Sequence, residues 1–465
     1  MDNRDYSRPL DVQRISEHPE VQDVIEVLYG ELKKFGYLGK SSQKKIFKHL
    51  KAVILDLYIG YSSDPKLFIG YPRDRNKYSK ESRLGQLYFS YRPMMRVVDG
   101  LEALGYLENH KGFQDRSTGK SRLSRMRASQ SLIDLIEGHS VSPVMIAREY
   151  AEPIVLRNAD GEDISYEDTD ETSQMEGQLR SYNAFIGEHL IGLSLPNEKV
   201  RALLMERRAN PIDYTRNQLC RIFNESFSRG GRFYQGWWQE IPSVLRKHIV
   251  IDDQPTSELD YSGQHLLLLY DLKGEVYPWL RGTDDPYLVP GYGEAYRDLM
   301  KQVFLICVNE ESREKAVQAI RQEINYNHPD LTSTNEFINP LIDATIEQHP
   351  ELADSFFSGM WAELQHQDSK IADYVLNDMK ARGQLALPVH DSFIVQDQYI
   401  AHLYSSMKEA YRMLGADSIP DVKIKPGANS DPSQPSFMEY GTLKLAERNL
   451  LRKELEAIKK LEDLV

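Results

Sequence analysis

The sequence predicts an α+β fold: a helical N-terminal domain, residues 1–150, an acidic segment, 151–178, and a mixed helix-and-strand domain, 179–465. Two observations predict this division. The 465 residues exceed the roughly 250–300 at which a single hydrophobic core stops growing. Apolar residues recur at helical spacing through the first domain, whereas the last one also contains short apolar runs that flank turn residues.

The composition is ordinary for a globular chain and excludes three classes of protein. Hydrophobic residues make up 41%, but no apolar run approaches the ~18–20 residues of a membrane span. Two cysteines, Cys220 and Cys307, are too few for a disulfide framework or a four-ligand zinc site. The start, Met-Asp-Asn-Arg-Asp, lacks the basic and apolar leader of a secreted protein, so we expect a cytoplasmic location.

Charge is distributed along the chain in blocks of opposite sign. The whole chain carries −13, yet residues 71–127 contain 13 Lys or Arg and 6 Asp or Glu, a net of +7. Residues 151–178 contain nine acidic residues and one basic residue, Arg157, a net of −8. The basic block is typical of phosphate binding, although a solvated surface gives the same pattern. The acidic block has too few apolar residues for a core and predicts an exposed linker or mobile loop.

Apolar residues at helical spacing predict three helices in the N-terminal domain, over 20–35, 41–57 and 91–104. Gly36 and Gly105 follow the first and the third of these segments, as glycines do at helix ends. After the third helix, the sequence has the pattern of a strand, a basic loop and a returning strand.

The third helix and the basic hairpin after it resemble the winged helix-turn-helix of replication and transcription regulators. The resemblance implies that Arg92–Leu104 is a recognition helix and that the hairpin is a wing on DNA. The cations implied to contact DNA are Arg92, Lys111, Arg116, Lys120, Arg122 and Arg125. Without its basic run, the same pattern would indicate a plain helical packing domain.

Two aspartates in the C-terminal domain each follow an apolar strand. Asp260 precedes a strongly apolar helix, and Asp391 lies with His390 between two apolar runs, as at the tip of a hairpin. Each aspartate alone is most simply a turn residue or a helix cap. Two carboxylates on neighbouring strands, however, are suitable ligands for a pair of Mg²⁺ ions.

A helical segment between the two aspartates, 296–309, carries two cations on one face. Arg297 and Lys301 are four residues apart, so both project from the same side of a helix. Such a pair, aimed into a cleft, would bind a triphosphate and neutralise the leaving pyrophosphate. Taken alone, the pair is more simply explained as a solvated helix edge.

The order Asp-Tyr-Ser, Arg-x-x-x-Lys, Val-His-Asp resembles motifs A, B and C of family A DNA polymerases and of the single-subunit phage-type RNA polymerases. Shorter matches occur at 228–232, 240–247 and 364–365, so that the resemblance covers 216–395. It implies a polymerase palm with reduced fingers and a thumb-like part. It also implies two Mg²⁺ ions, replaceable by Mn²⁺, and DNA, as primer–template or duplex, and nucleoside triphosphates as partners.

The resemblance implies a role for individual residues. The implied metal ligands are Asp260 and Asp391, and the other implied catalytic residues are Lys301, Arg297 and His390. Contacts to nucleic acid are implied for Arg232, Gln365 and Arg246. The implied nucleotide-binding set is Tyr261, Ser262, Gly263, His265, Leu305 and Asn309.

The sequence departs from the family pattern at positions that affect the choice of sugar. Family A DNA polymerases carry Glu where this sequence has His265, and an aromatic residue where it has Asn309. The sequence therefore predicts a template-directed nucleotidyltransferase, a compact polymerase or a primase-like enzyme, and leaves dNTP and NTP open. The alternative is a DNA-binding replication initiator or regulator on a palm that has lost catalysis.

Overall fold

The computed structural model describes residues 6–80, 83–114, 121–148, 152–207, 209–275, 277, 285–416 and 419–462. The chain divides into two compact units. The first comprises Met1–Pro153, Leu195–Gln218 and Gln235–Leu245, and the second comprises Ile154–Ser194, Leu219–Tyr234 and Arg246–Val465. Within the described ranges, no helix has both the length and the apolar character needed to cross a membrane.

The first unit combines helices with a four-stranded sheet of order β1-β3-β7-β4, a β5–β6 hairpin and a β2–β8 pair. Its strands are β1 (Ser7–Pro9), β2 (Arg14–Ile15), β3 (Phe68–Tyr71), β4 (Leu107–His110), β5 (Phe113–Gln114), β6 (Ser121–Arg122), β7 (Ser124–Ala128) and β8 (Ala147–Arg148). Its helices are α1 (Pro19–Lys34), α2 (Gln43–Ser63), α3 (Arg83–Gln86), α4 (Tyr91–Ala103), α5 (Gln130–Gly138), α7 (Asn197–Glu206), α8 (Trp237–Glu240) and α9 (Ser243–Arg246), whose last residue belongs to the second unit.

The predicted N-terminal helices agree with α1, α2 and α4. In α2, Ile46, Leu50, Val53 and Leu57 recur on one face and are buried in the core of the unit. This helix continues six residues past the predicted end and stops at Asp64, whose backbone is extended. The following proline explains the stop, because a residue before proline is disfavoured in the helical region.

The second unit contains a six-stranded antiparallel sheet of order β11-β14-β15-β17-β16, with β18 also paired to β15, and a separate sheet of order β10-β9-β12-β13. Its strands are β9 (Ile154–Arg157), β10 (Asp163–Ile164), β11 (Ile191–Leu193), β12 (Cys220–Asn224), β13 (Ser226–Tyr234), β14 (Ile249–Ile251), β15 (Gln254–Tyr261), β16 (Ala386–Val389), β17 (Ser392–Gln396) and β18 (Val422–Lys425). Its helices are α6 (Asp170–Gly187), α10 (Gln264–Lys273), α11 (Arg297–Asn309), α12 (Arg313–Asn327), α13 (Asn335–Gln348), α14 (Trp361–Ala381), α15 (Ile400–Met413) and α16 (Pro435–Glu462).

The acidic segment predicted as a linker contains regular structure. Ile154 and Leu156 alternate at buried positions of β9, which pairs in parallel with β12. Thr169 then caps α6 by accepting a hydrogen bond from the backbone N–H of Thr172, whose side-chain oxygen accepts one from the N–H of Thr169. Two buried apolar residues at strand spacing are enough for a strand when it pairs with a strand 67 positions farther along the chain.

Candidate active site

Of the two aspartates of the predicted metal pair, Asp260 lies on strand β15 of the six-stranded sheet and Asp391 lies in the turn before the neighbouring strand β17. Strand β15 pairs antiparallel with β17, and Asp260 lies opposite Ser392, the residue after Asp391. Asp391 itself lies in the two-residue turn between β16 and β17. His390, the other turn residue, is exposed and has a left-handed backbone with φ +57°, a conformation common in two-residue hairpin turns. The sheet therefore brings together two carboxylates that are 131 positions apart in sequence.

The carboxylate of Asp260 is partly buried and close to other negative groups. Its side chain is 25% exposed. Burial raises the pKa of Asp260, and the charges of Asp391 and Glu258 raise it further, against a hydrogen bond from Lys425 that lowers it. The Lys425 ammonium lies 2.7 Å from Asp260 Oδ2 and 3.5 Å from Glu258 Oε1. Lys425 thus compensates part of the negative charge around Asp260.

Glu258 is a further site residue, which no sequence motif indicated, although it stands two residues before Asp260 on the same face of β15. Its carboxylate accepts a hydrogen bond from Ser392 Oγ at 2.8 Å and pairs with Arg246 Nε at 3.1 Å. Burial opposes its ionisation, but Arg246, Ser392 and Lys425 together lower its pKa. Glu258 is therefore a charged neighbour of the aspartate pair whose carboxylate already has partners, and one of those partners is Arg246.

A second cluster surrounds Arg232, which strand β13 supplies. Its guanidinium donates to the buried carboxylate of Asp368, on α14, and to His265 Nε2 at 2.7 Å. The Gln264 side-chain amide donates to the other oxygen of Asp368 at 2.9 Å. Burial, reinforced by Arg232 and Lys301, lowers the pKa of His265 to about 4. The imidazole is therefore neutral near pH 7 and can accept the hydrogen bond from Arg232.

Helix α11 carries the two predicted phosphate ligands, and they differ in their surroundings. Arg297 pairs with Asp285 at 2.6 Å and with Asp298 at 2.9 Å. Lys301 is half-buried, forms no ion pair with an acidic residue in the part of the chain that the structure describes, and acts electrostatically on His265. Lys301 is thus the cation of this helix with no acidic partner of its own among those residues.

The remaining residues predicted to bind nucleotide or nucleic acid at this site differ in burial and in whether their polar groups are already hydrogen-bonded. Tyr261 is buried and its hydroxyl donates to the Met407 carbonyl at 2.7 Å, so the hydroxyl is already engaged in the core. Gly263, with φ +69°, precedes the first residue of α10, and the Ser262 N–H donates to the Asp421 carbonyl. Half-buried positions are occupied by Leu305, Asn309 and Gln365.

The basic residues of the first unit that were predicted to contact DNA lie on different elements and differ in exposure. Arg92 is exposed in the first turn of α4, and Lys111 is exposed between β4 and β5. Arg122 is half-buried, whereas Arg125 is only 5% exposed on β7, the strand that pairs with both β3 and β4. The guanidinium of Arg125 is therefore not presented to solvent. Two further predicted cations lie outside the described residues: Arg116 and Lys120.

Comparison with protein families and with curated proteins finds no match. Among solved structures, the chain is similar to the POL domain of Pol1 from M. smegmatis, in a complex with DNA primer-template and dNTP. The two are 12% identical with a TM-score of 0.26, and the match covers 87% of this chain and 65% of that one, so this chain spans less than two thirds of it. A likeness this low carries no argument about function, which rests on the chemistry of the site.

Proposed function

We propose that this chain is a template-directed nucleotidyltransferase that extends a nucleic-acid primer and holds divalent metal with Asp260 and Asp391. One observation carries the proposal: the pairing of β15 with β17 sets Asp260 opposite Ser392, beside Asp391. Lys301 and Arg232 support it, because both act electrostatically on His265, as Asp391 does, and phosphoryl transfer depends mainly on positioning and on charge stabilisation.

The donor set fits a hard divalent cation. Carboxylate oxygens on rigid strands suit Mg²⁺, which usually takes one or two carboxylates and completes its shell with water and substrate phosphates. Among the described residues there is no group of three His, Cys, Asp or Glu side chains arranged for a metal ion, so substrate and water would have to complete the coordination. When bound, such ions lower the pKa of the attacking hydroxyl and neutralise the charge of the phosphates.

The side chains around the aspartates would bind and orient the substrates. Lys301 would offer its ammonium to the triphosphate, whereas Arg297 would first have to leave Asp285. Arg232, fixed by Asp368, would hold primer or template, and the neutral His265 would keep Arg232 in place. The Tyr261 hydroxyl has no part in this proposal, because it is engaged with the Met407 carbonyl.

A nucleic-acid-binding protein without polymerase activity is the second candidate function. The observation that favours it is the ion pair between Lys425 and Asp260, at 2.7 Å, since a lysine of the chain itself already pairs with one of the two proposed metal ligands. In that case the palm-like sheet would serve only as a scaffold for binding.

Primer extension distinguishes the two candidates. The chain is incubated with a labelled primer–template and Mg²⁺, with dNTPs and NTPs in separate reactions. We expect extension that depends on template sequence, and the reaction that extends identifies the sugar. Tight, salt-sensitive binding without any incorporation under either condition would support the non-catalytic candidate.

Replacing Lys425 by Met should increase the affinity of this site for Mn²⁺ by about fivefold. The ammonium competes with a metal ion for Asp260, and a partly exposed ion pair contributes up to about 1 kcal/mol. Free Mn²⁺ is measured by electron paramagnetic resonance, so the result does not depend on turnover. Lys273→Met is the matched control, because Lys273 is exposed in the last turn of α10, in the same unit, and pairs with no acidic residue described in the structure. Weaker Mn²⁺ binding by Lys425→Met would mean that the lysine supports the site.

A further inference from the structure

The first unit contains a large open cavity where helices α2 and α4 begin. Its volume is about 830 Å³. Six basic residues line it, from the loop before α2, the first turn of α2, the turn at 75–80 and the start of α4. We call this cavity the basic cleft and define it by Lys40, Lys45, Arg75, Lys80, Arg92 and Arg96.

The charge of the basic cleft has a single sign. None of the described residues that line it is Asp or Glu. Its six cations form no ion pair with an acidic residue in the described ranges, and all except the half-buried Arg96 are exposed. Like charges gathered around a concave surface repel one another and focus a positive field into it. Among its described lining residues the cleft thus gathers six cations and no carboxylate, in a chain whose net charge is −13.

The cleft has one fixed arginine. Arg96 Nη1 donates to the Leu38 carbonyl at 2.9 Å and to Ser41 Oγ at 2.5 Å. The guanidinium lies against Gly39, where a Cβ atom would come within 2.6 Å of Arg96 Nη2. Gly39 also has φ +56°, so both its lack of a side chain and its backbone conformation suit this contact. The loop before α2 is thereby tied to α4.

We propose that the basic cleft binds the phosphodiester backbone of a nucleic acid without regard to its sequence. A single phosphate would need a small site with enclosed donors, whereas these cations are exposed and come from separate segments around a wide opening. Such an arrangement matches several phosphates along an extended polyanion. The proposal extends beyond the polymerase site, and four of the six cations lie outside the predicted recognition helix and wing.

The test removes two cations, Lys40 and Lys45, that have no part in the proposed active site or in the predicted recognition helix and wing. In the full chain, Lys40→Gln/Lys45→Gln is compared with Lys66→Gln/Lys199→Gln, which removes the same charge from two exposed lysines of the same unit. Lys66 follows the other end of α2, about 30 Å away for a helix of 21 residues. Binding of labelled duplex and single-stranded DNA of two unrelated sequences is measured by fluorescence anisotropy over a range of salt concentrations.

We expect the cleft variant to bind at least tenfold more weakly at about 0.1 M salt, equally for both sequences. For duplex DNA, the slope of log affinity against log salt should fall by about 0.9 for each phosphate that the variant no longer neutralises. The control variant should bind as the unaltered chain does. Equal affinity and slope for the two variants would overturn the proposal, as would tight one-to-one binding of inorganic pyrophosphate without DNA binding. The experiment measures binding and not primer extension, so it tests the cleft even if the chain has no polymerase activity.

Discussion

Replacing Asp260 or Asp391 by Asn should abolish nucleotide incorporation, with a rate at least about 10³-fold lower. Each substitution keeps the shape of the side chain but removes a negative charge from the proposed metal pair. Metal-assisted charge stabilisation contributes several kcal/mol to such reactions, and each 1.36 kcal/mol corresponds to a factor of ten in rate. Single-turnover extension with a labelled primer measures the rate, and anisotropy measures whether primer–template affinity is unchanged.

Two matched variants show whether the loss is specific to the pair. Asp253→Asn removes a carboxylate from the turn at the other end of β15, where φ is +59° and Asn is well tolerated, and it should leave the rate unchanged. Glu258→Gln removes the neighbour that holds Arg246 and Ser392, so we expect an intermediate loss. Extension at the normal rate by either Asp260→Asn or Asp391→Asn would refute the two-carboxylate assignment.

Much of the local structure could be predicted because its pattern lies within one short segment. The helical stripes of α1, α2 and α4 and the hairpin around Asp391 each depend on residues no more than about twenty positions apart. The α+β class follows from the same segments. Local patterns could not predict that β15 pairs with β17, because the two strands are far apart in sequence. That prediction came from the order of the three motifs along the chain.

The charged partners around the site could not be predicted in the same way. Lys425 reaches Asp260 only because β18 pairs with β15 across more than 160 positions. Asp368 follows Leu364-Gln365 by three residues, but nothing in the sequence identifies it as the carboxylate that fixes Arg232. Glu258 was within reach, since a strand places residues two apart on one face. Long-range pairing, not local propensity, decides which charges meet.

Replacing Asp56 by Asn should destabilise the first unit by about 3–5 kcal/mol, the expected cost of breaking a buried ion pair. Asp56 lies on α2 with its carboxylate fully buried. It accepts a two-pronged pair of hydrogen bonds from Arg8, at 2.8 and 2.6 Å, and further bonds from Arg14 Nε and the Asp11 N–H. An amide in its place would turn an NH₂ group toward arginine donors and leave two guanidinium charges without their shared partner.

The same network predicts how stability depends on pH. Burial by itself raises the pKa of Asp56, but the charges of Arg8 and Arg14 outweigh it and hold the pKa below its ordinary value. The unfolded chain therefore binds a proton at higher pH than the folded chain does. The contribution of Asp56 is complete above about pH 4, the ordinary range of an aspartate, and is lost as pH falls through the lower pKa of the folded state. Asp213, which pairs with the other side of Arg14, has a lowered pKa and adds in the same direction.

Hydrogen exchange read out by mass spectrometry is the suitable measurement, because a chain of two compact units need not unfold in one step. In Asp56→Asn, amides of α2 should lose protection by about 10²- to 10⁴-fold near pH 7, with a smaller difference from the unaltered chain near pH 3. Asp23→Asn, on the exposed face of α1, is the control and should leave protection unchanged. Undiminished protection of α2 in Asp56→Asn would show that packing of the apolar face, and not the buried charge network, determines the stability of this helix.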